Sequence, residues 1–443
     1  MNDDALDSLG LPKEPIDRIS NALERFLHIE AASGVALLVC TLVALGLANS
    51  AASEWFLGLW KTRVGFGFGS FQMDYPLYHW INDGLMAIFF FVIGLEVKRE
   101  LVIGELNELR KAALPIAAAI GGMVVPAGIY LLMQGDTGAR AGWGIPMATD
   151  IAFVVGCMAV LGSRIPHSLR VLLLSLAIAD DIGAILVIAI GYTESIDLTA
   201  LGLGFAGIGA VWGMARVGVR SLGLYGLAGL LVWLAFHESG VHATVAGVIL
   251  GLMTPARSHV SASAFSRVIE RASGVIQGEA WETTSHRSEK LRKFTWAARE
   301  TLSPLEYLEG MLHPWMGFVI MPIFALANAG VPFELSDVAH PVALAVGAGL
   351  VVGKPVGILV FSFIAVKLGL ASLPSGVSWG VLAAGGCLAG IGFTMALFIS
   401  GLALSGEALD VAKVGVLAAS AVAAILGVGG LLVLLPEAPH RDT

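Results

Sequence analysis

Apolar runs of about 20 residues recur along this chain, and each is long enough to cross the roughly 30 Å hydrocarbon core of a bilayer as a helix. Twelve spans are expected, beginning near Ala31, His79, Ala112, Trp143, Leu169, Leu198, Ser221, Gly240, Met311, Val342, Ser378 and Val411. Ahead of the first, Glu14 to Ala31 places Ile16, Ile19, Leu23, Phe26 and Leu27 on one stripe, which predicts an amphipathic helix in the membrane interface. Lys61 to Met73 is glycine-rich with Val64, Phe66 and Phe68 alternating, the pattern of a small external β-hairpin. Thr254 to Pro304 is far longer than an ordinary connection. Within it Phe265, Val268, Ile269 and Ala272 mark a surface helix. The expected organisation is a terminal segment 1–30, a membrane domain 31–436 interrupted by the loop 254–304, and a tail 437–443.

Composition removes the competing soluble reading. Of 443 residues 56% are hydrophobic and only 14% charged, with a mean hydropathy of +0.82. A soluble protein has too little interior to bury so many apolar runs, so the expected class is an all-α membrane protein. The first 30 residues are mostly polar, so no cleavable signal is expected before the first span. Basic residues set the orientation. One side would hold only Lys61, Arg63, Arg140 and Lys413, and Lys354 lies inside a span; every other of the 26 lysines and arginines falls on the side of the N-terminus. Both termini are therefore expected in the cytoplasm. Cys40, Cys157 and Cys387 all lie in apolar runs without metal-ligand spacing, so neither disulfides nor zinc are indicated. No cofactor and no nucleic-acid partner is expected.

Two spans are built unlike the others. The fourth carries Gly142, Gly144 and Pro146 just before Thr149 and Asp150, and the eleventh carries Gly385, Gly386, Gly390 and Gly392 before Phe393. Broken helices at membrane depth are tolerated where the freed backbone groups are buried in protein or line a cavity. Each broken span is the middle of a three-span group, and the offset of seven spans between the groups inverts the second. Paired interruptions in inverted repeats point to a transporter's binding site.

Charge at mid-membrane depth narrows the chemistry. Asp180 and Asp181 lie at the centre of the fifth span, Lys354 at the centre of the tenth, and Asp150 within the broken fourth. Each costs roughly 2.5–3.5 kcal/mol on the lenient insertion scale, and the four together rival the net stability of a domain, about 5–15 kcal/mol. A structural ion pair between Lys354 and one aspartate balances only one of three carboxylates. Adjacent helical residues point about 100° apart, so Asp180 and Asp181 need different partners. A surplus buried carboxylate either takes up a proton or binds a cation, and a site that chooses between the two is a proton/cation exchanger. For Asp150 two roles stay open: direct ion binding, or compensation of positive helix N-termini.

Other features weigh less. His237, Glu238 and His242 resemble a zinc-protease motif, but the histidines are five apart and share no helix face. Gly202, Gly204 and Gly207 lie inside an apolar span, where helix packing is their expected use. His242 reads equally as a pH-responsive group or a hydrogen-bonded interface histidine. Asp83 and Glu100, near opposite ends of the second span, are expected as solvated end charges.

At these residues the chain resembles the NhaA family of bacterial Na+/H+ antiporters, whose fold is built from inverted repeats. The stretches that carry the resemblance are Trp80 to Leu101, Ala148 to Phe153, Leu176 to Ile185 and Ser239 to Val248. Leu312 to Trp315, Phe324 to Val331, Gly353 to Pro355 and Gly390 to Ile399 match as well. The likeness runs from about Ala31 to Leu404, the loop excepted. It implies twelve helices with two crossed, broken ones, and electrogenic export of Na+ or Li+ against protons by alternating access. It further implies that Asp180 and Asp181 carry ion and proton, that Lys354 is released from Asp180 on ion binding, and that Thr149 and Asp150 line the site. Glu96, Glu309 and His242 match positions tied to pH response, and the hairpin 61–73 matches a homodimer contact. An inner-membrane protein is the corresponding expectation, with lipid as its surroundings. The 50-residue loop departs from the family's short connection. Two other classes remain open on this reading, a Na+-coupled symporter of an organic solute and an intramembrane aspartyl protease, although no GxGD-type motif is present.

Overall fold

Inside a bilayer the backbone must satisfy its own hydrogen bonds, so apolar spans become helices. The computed structural model describes residues 30–68, 71–135, 137–193, 196–258, 266–267, 292, 295–296 and 298–435. The amphipathic segment 14–31 lies almost wholly outside the described residues, and so do most of the loop 254–304 and the tail 437–443.

The chain is mostly helical. In order come α1 (Glu30–Ala48), α2 (Ser53–Lys61), the strands β1 (Arg63–Phe68) and β2 (Phe71–Pro76), α3 (Leu77–Val102) and α4 (Arg110–Gln134). Next are α5 (Ile151–Leu161), α6 (His167–Gly191), α7 (Leu198–Val217), α8 (Leu222–Glu238) and α9 (Thr244–Met253). Last are α10 (Pro304–Asn328), α11 (Pro341–Lys367), α12 (Trp379–Ala389), α13 (Phe393–Ala403) and α14 (Gly406–Leu434).

Among the described residues, eight helical segments are long and apolar enough to cross a membrane. Two bent pairs, α1 with α2 at 113° and α12 with α13 at 49°, raise the number to as many as ten. The remaining two expected spans coincide with the shorter apolar helices α8 and α9, of 17 and 10 residues. Large apolar side chains such as Leu132, Val160, Ile190, Val217 and Val433 face outward, while Asp180, Asp181 and Lys354 are sealed inside. That distribution reverses the soluble pattern and suits lipid. This is a multi-pass membrane protein.

The hairpin forms as expected but reaches farther, since β2 runs on to Pro76 with Val64 opposite Tyr75. Arg63 and Asp74 close it with an ion pair of 2.8 Å. Lys413, expected in an external connection, is instead buried within α14, its ammonium 5.6 Å from the Tyr78 ring. The reason is that α14 begins at Gly406, more than a turn before the expected Val411.

Two close helix contacts frame the interior. A Cβ on Gly357 of α11 would lie 2.0 Å from the Gly121 carbonyl oxygen of α4. Gly247 and Gly251 of α9 press likewise on the backbone of α3, at Ala87 and Phe91. Small residues let transmembrane backbones approach and gain van der Waals contact where lipid offers no hydrophobic drive. The first contact holds α11, which carries Lys354, against α4, which also packs on α6 with its aspartates.

Candidate functional site

Both expected interruptions are present. The fourth span enters as a tight 3-10 turn, Arg140–Met147, passes through an extended stretch at Ala148 and Asp150, and resumes as α5. The eleventh stops at Ala389 and resumes at Phe393. The two breaks touch: the Asp150 N–H donates to the Ile391 carbonyl at 2.7 Å, and Thr149 Oγ1 lies 2.9 Å from the Ala389 carbonyl oxygen.

Asp150 is the N-cap of α5, its Oδ1 accepting from the Phe153 N–H at 3.1 Å. Its Oδ2 accepts from the Thr394 N–H at 3.1 Å and from the Thr394 hydroxyl. One buried carboxylate thus serves the N-termini of two half-helices, α5 and α13. Each N-terminus carries about half a positive charge and unpaired N–H groups. Nothing singles out Thr394 in the sequence except its place just after the Gly390–Gly392 break, where a capping partner is needed.

Asp180 and Lys354 are fully buried, and Lys354 Nζ sits 2.9 Å from Asp180 Oδ2. Thr149 Oγ1 is 2.8 Å from the same oxygen. With one hydroxyl proton shared between Asp180 and the Ala389 carbonyl, Thr149 can donate to only one at a time. Lys354 also donates to the Met147 carbonyl of the broken fourth span. Immediately before Lys354, α11 widens into a π-turn at Gly349–Gly353, the kind of local bulge that often accompanies functional sites.

Asp181 points elsewhere. It is buried, and among the described residues its Oδ1 has no hydrogen-bond partner; nor has Oδ1 of Asp180. Buried carboxylate oxygens are normally satisfied. Two bare oxygens on adjacent carboxylates beside a single ammonium leave room for a proton or a small cation. Asp150, Thr149, Asp180 and Lys354 are therefore brought into one network, with Asp181 beside it.

The remaining expected residues have their own partners. Glu96 faces the His313 ring, 3.6 Å away. Glu309 pairs with Arg99, which also lies 3.8 Å from Glu100. Glu100 is largely enclosed rather than solvated, its side chain 16% exposed. His242 lies near the other end of α3, its Nδ1 2.7 Å from Thr244 Oγ1 and its Nε2 3.9 Å from Asp83. Asp83 is likewise no solvated end charge: its side chain is 16% exposed and enclosed by His79, His237 and His242. From Asp83 to Glu96 along α3 is roughly 20 Å at 1.5 Å per residue, so the two clusters sit at opposite ends of one span.

A model of the family described as Na+/H+ antiporter 1 matches residues 24–431. A protein named Na(+)/H(+) antiporter NhaA from Rhodopirellula baltica is 57% identical over 434 residues, 98% of either chain. A protein of the same name from Rhizobium meliloti is 53% identical over 98% of this chain and 99% of its own. Acidiphilium cryptum supplies one named Na(+)/H(+) antiporter NhaA 2, 50% identical over 98% of this chain and 95% of its own.

Proposed function

Because this chain belongs to the Na+/H+ antiporter 1 family and exchanges Na+ for H+, we propose that Asp180 and Asp181 carry both ions in turn. High cytoplasmic pH strips the aspartates of protons and admits Na+, or Li+, from the inside. Lys354 then leaves Asp180, the loaded site reopens outward, and external protons displace the cation. The relatives are named as antiporters, which leaves the symporter and the protease readings without support.

One observation carries this reading: Asp180 is paired with Lys354 while Asp181 Oδ1 has no hydrogen-bond partner among the described residues. A proton or a cation meets that need equally well, and competition follows. Thr149 is proposed to line the ion path. Of the two roles open to Asp150, the three hydrogen bonds its carboxylate accepts from the half-helices support charge compensation over direct ligation.

The wider frame is proposed with it. Twelve spans, two of them crossing at their breaks, form inverted repeats in the bacterial inner membrane with both termini in the cytoplasm. More protons enter than cations leave, so exchange is electrogenic. Glu96 and Glu309, with His242 at the opposite end of α3, set the pH response. The hairpin 61–73 joins two copies, lipid surrounds the dimer, and the loop 254–304 is an insertion in the domain 31–436, flanked by the segments 1–30 and 437–443.

Asp181→Asn keeps the side chain's size and removes its charge. In everted vesicles this variant is expected to insert normally and to lose Na+-driven proton movement, read by dequenching of a pH dye. Normal exchange by Asp181→Asn would overturn the proposal.

A further inference from the structure

We propose that His79, Asp83 and His237 form a binding site for a divalent transition-metal ion of the zinc type, separate from the sodium path. The nitrogens of the two histidines and a carboxylate oxygen of Asp83 all lie within 4.8 Å of one another. His79 Nε2 is 3.3 Å and His237 Nδ1 3.7 Å from Asp83 Oδ2. Zinc holds imidazole nitrogen and carboxylate oxygen at roughly 2.0–2.2 Å in a tetrahedron, which sets its ligand atoms roughly 3.3–3.6 Å apart, so both contacts to Asp83 already have nearly the required spacing. A fourth position remains for water or for His242 Nε2, which faces Asp83 Oδ1 at 3.9 Å.

A second observation points to a ligand. His79 Nε2 is buried and makes no hydrogen bond among the described residues, although Asp83 lies beside it. The fold therefore leaves this nitrogen without a hydrogen bond of its own. The rings are already held in place. Tyr75 of β2 stacks on His79 with centroids 4.3 Å apart and meets the His237 ring edge-on at 5.4 Å. Trp233 stacks flat on His237. The Nδ1 of His242 is engaged with Thr244, the kind of outer contact that fixes the ring and frees the other nitrogen for a metal. A cavity of about 640 Å³ lined by Tyr75, Asp197, His237 and Glu238 reaches the cluster at His237.

Donor chemistry selects the ion. Imidazole nitrogens suit zinc and its first-row neighbours, whereas hard cations such as sodium take oxygen. The donors come from α3 and from the end of α8, so a bound metal staples two helices joined only through a long stretch of chain. That the ion arrives from outside rests on the orientation proposed above; the site itself does not.

The test uses full-length protein, purified without a polyhistidine tag, and zinc chloride alone. Calorimetric titration is expected to show one zinc ion per chain, with a raised melting temperature. Cobalt substitution should give the visible absorption of a tetrahedral centre. His79→Ala and the milder His237→Gln are each expected to weaken binding more than about tenfold, and His313→Ala to leave it unchanged. Absence of stoichiometric binding, or binding indifferent to both variants, would overturn the inference. Sodium-driven exchange measured in metal-free buffer separates the outcomes: active protein that binds no zinc removes this site alone, and inactive protein that binds zinc removes only the antiport mechanism.

Discussion

Lys354 and Asp180 form an ion pair of 2.9 Å with both side chains wholly excluded from the surface. In such a place the attraction offsets desolvation only while both partners stay, and removing one partner costs about 3–5 kcal/mol. Lys354→Ala is therefore expected to lower the melting temperature in detergent, and Asp180→Asn added to it to restore much of the loss. A double variant no more stable than Lys354→Ala would mean that the pair is not the source of the effect.

Asp150 tests whether charge or shape matters at the breaks. The single amide oxygen of asparagine can still accept from one half-helix N–H, whereas alanine accepts from neither, and loss of an N-cap costs about 0.5–2 kcal/mol. Asp150→Ala should melt well below Asp150→Asn, and Asp150→Asn should keep measurable sodium-driven exchange. Complete loss of exchange in a stable Asp150→Asn protein would make Asp150 an ion ligand.

Gly357 and Gly46 make a matched pair of probes. A Cβ on Gly357 meets backbone at 2.0 Å, while one on Gly46 meets nothing within 4 Å. Overpacking typically costs about 1–3 kcal/mol and more where backbone must move. Size-exclusion profiles should show Gly357→Ala depleted or aggregated and Gly46→Ala unchanged.

Unequal charge movement gives a fourth expectation. The membrane potential contributes about 2.3 kcal/mol per net charge for each 100 mV. Exchange in proteoliposomes should accelerate when valinomycin and potassium impose a potential drawing positive charge inward with the protons. Rates indifferent to the clamp would indicate electroneutral exchange.

Much of the site could be read from residue order because its signals were local and costly. Gly144, Pro146, Gly390 and Gly392 advertise breaks, and a structural ion pair with Lys354 accounts for only one of three carboxylates in apolar runs. Contacts made across distant spans were silent. Thr394 looks like any small polar residue until Asp150 meets it. Asp83 read as a solvated end charge because His237 reaches it from the end of another helix. The pairing of Glu309 with Arg99 was hidden for the same reason. The π-turns at Trp80–Leu85, Met316–Ile320 and Gly349–Gly353 arise from a shift in backbone hydrogen bonding that composition does not encode. Helices α8 and α9 meet where the eighth span was expected to begin, and there Gly240 turns the chain with a positive φ of 79°.

The bond from Lys354 to the Met147 carbonyl alters how its departure from Asp180 should be pictured. On the proposed mechanism an ammonium that keeps this second anchor would swivel about it and not travel, so the countercharge would stay within one side-chain length. Return of the empty carrier then needs no long-range search, only the reverse swing.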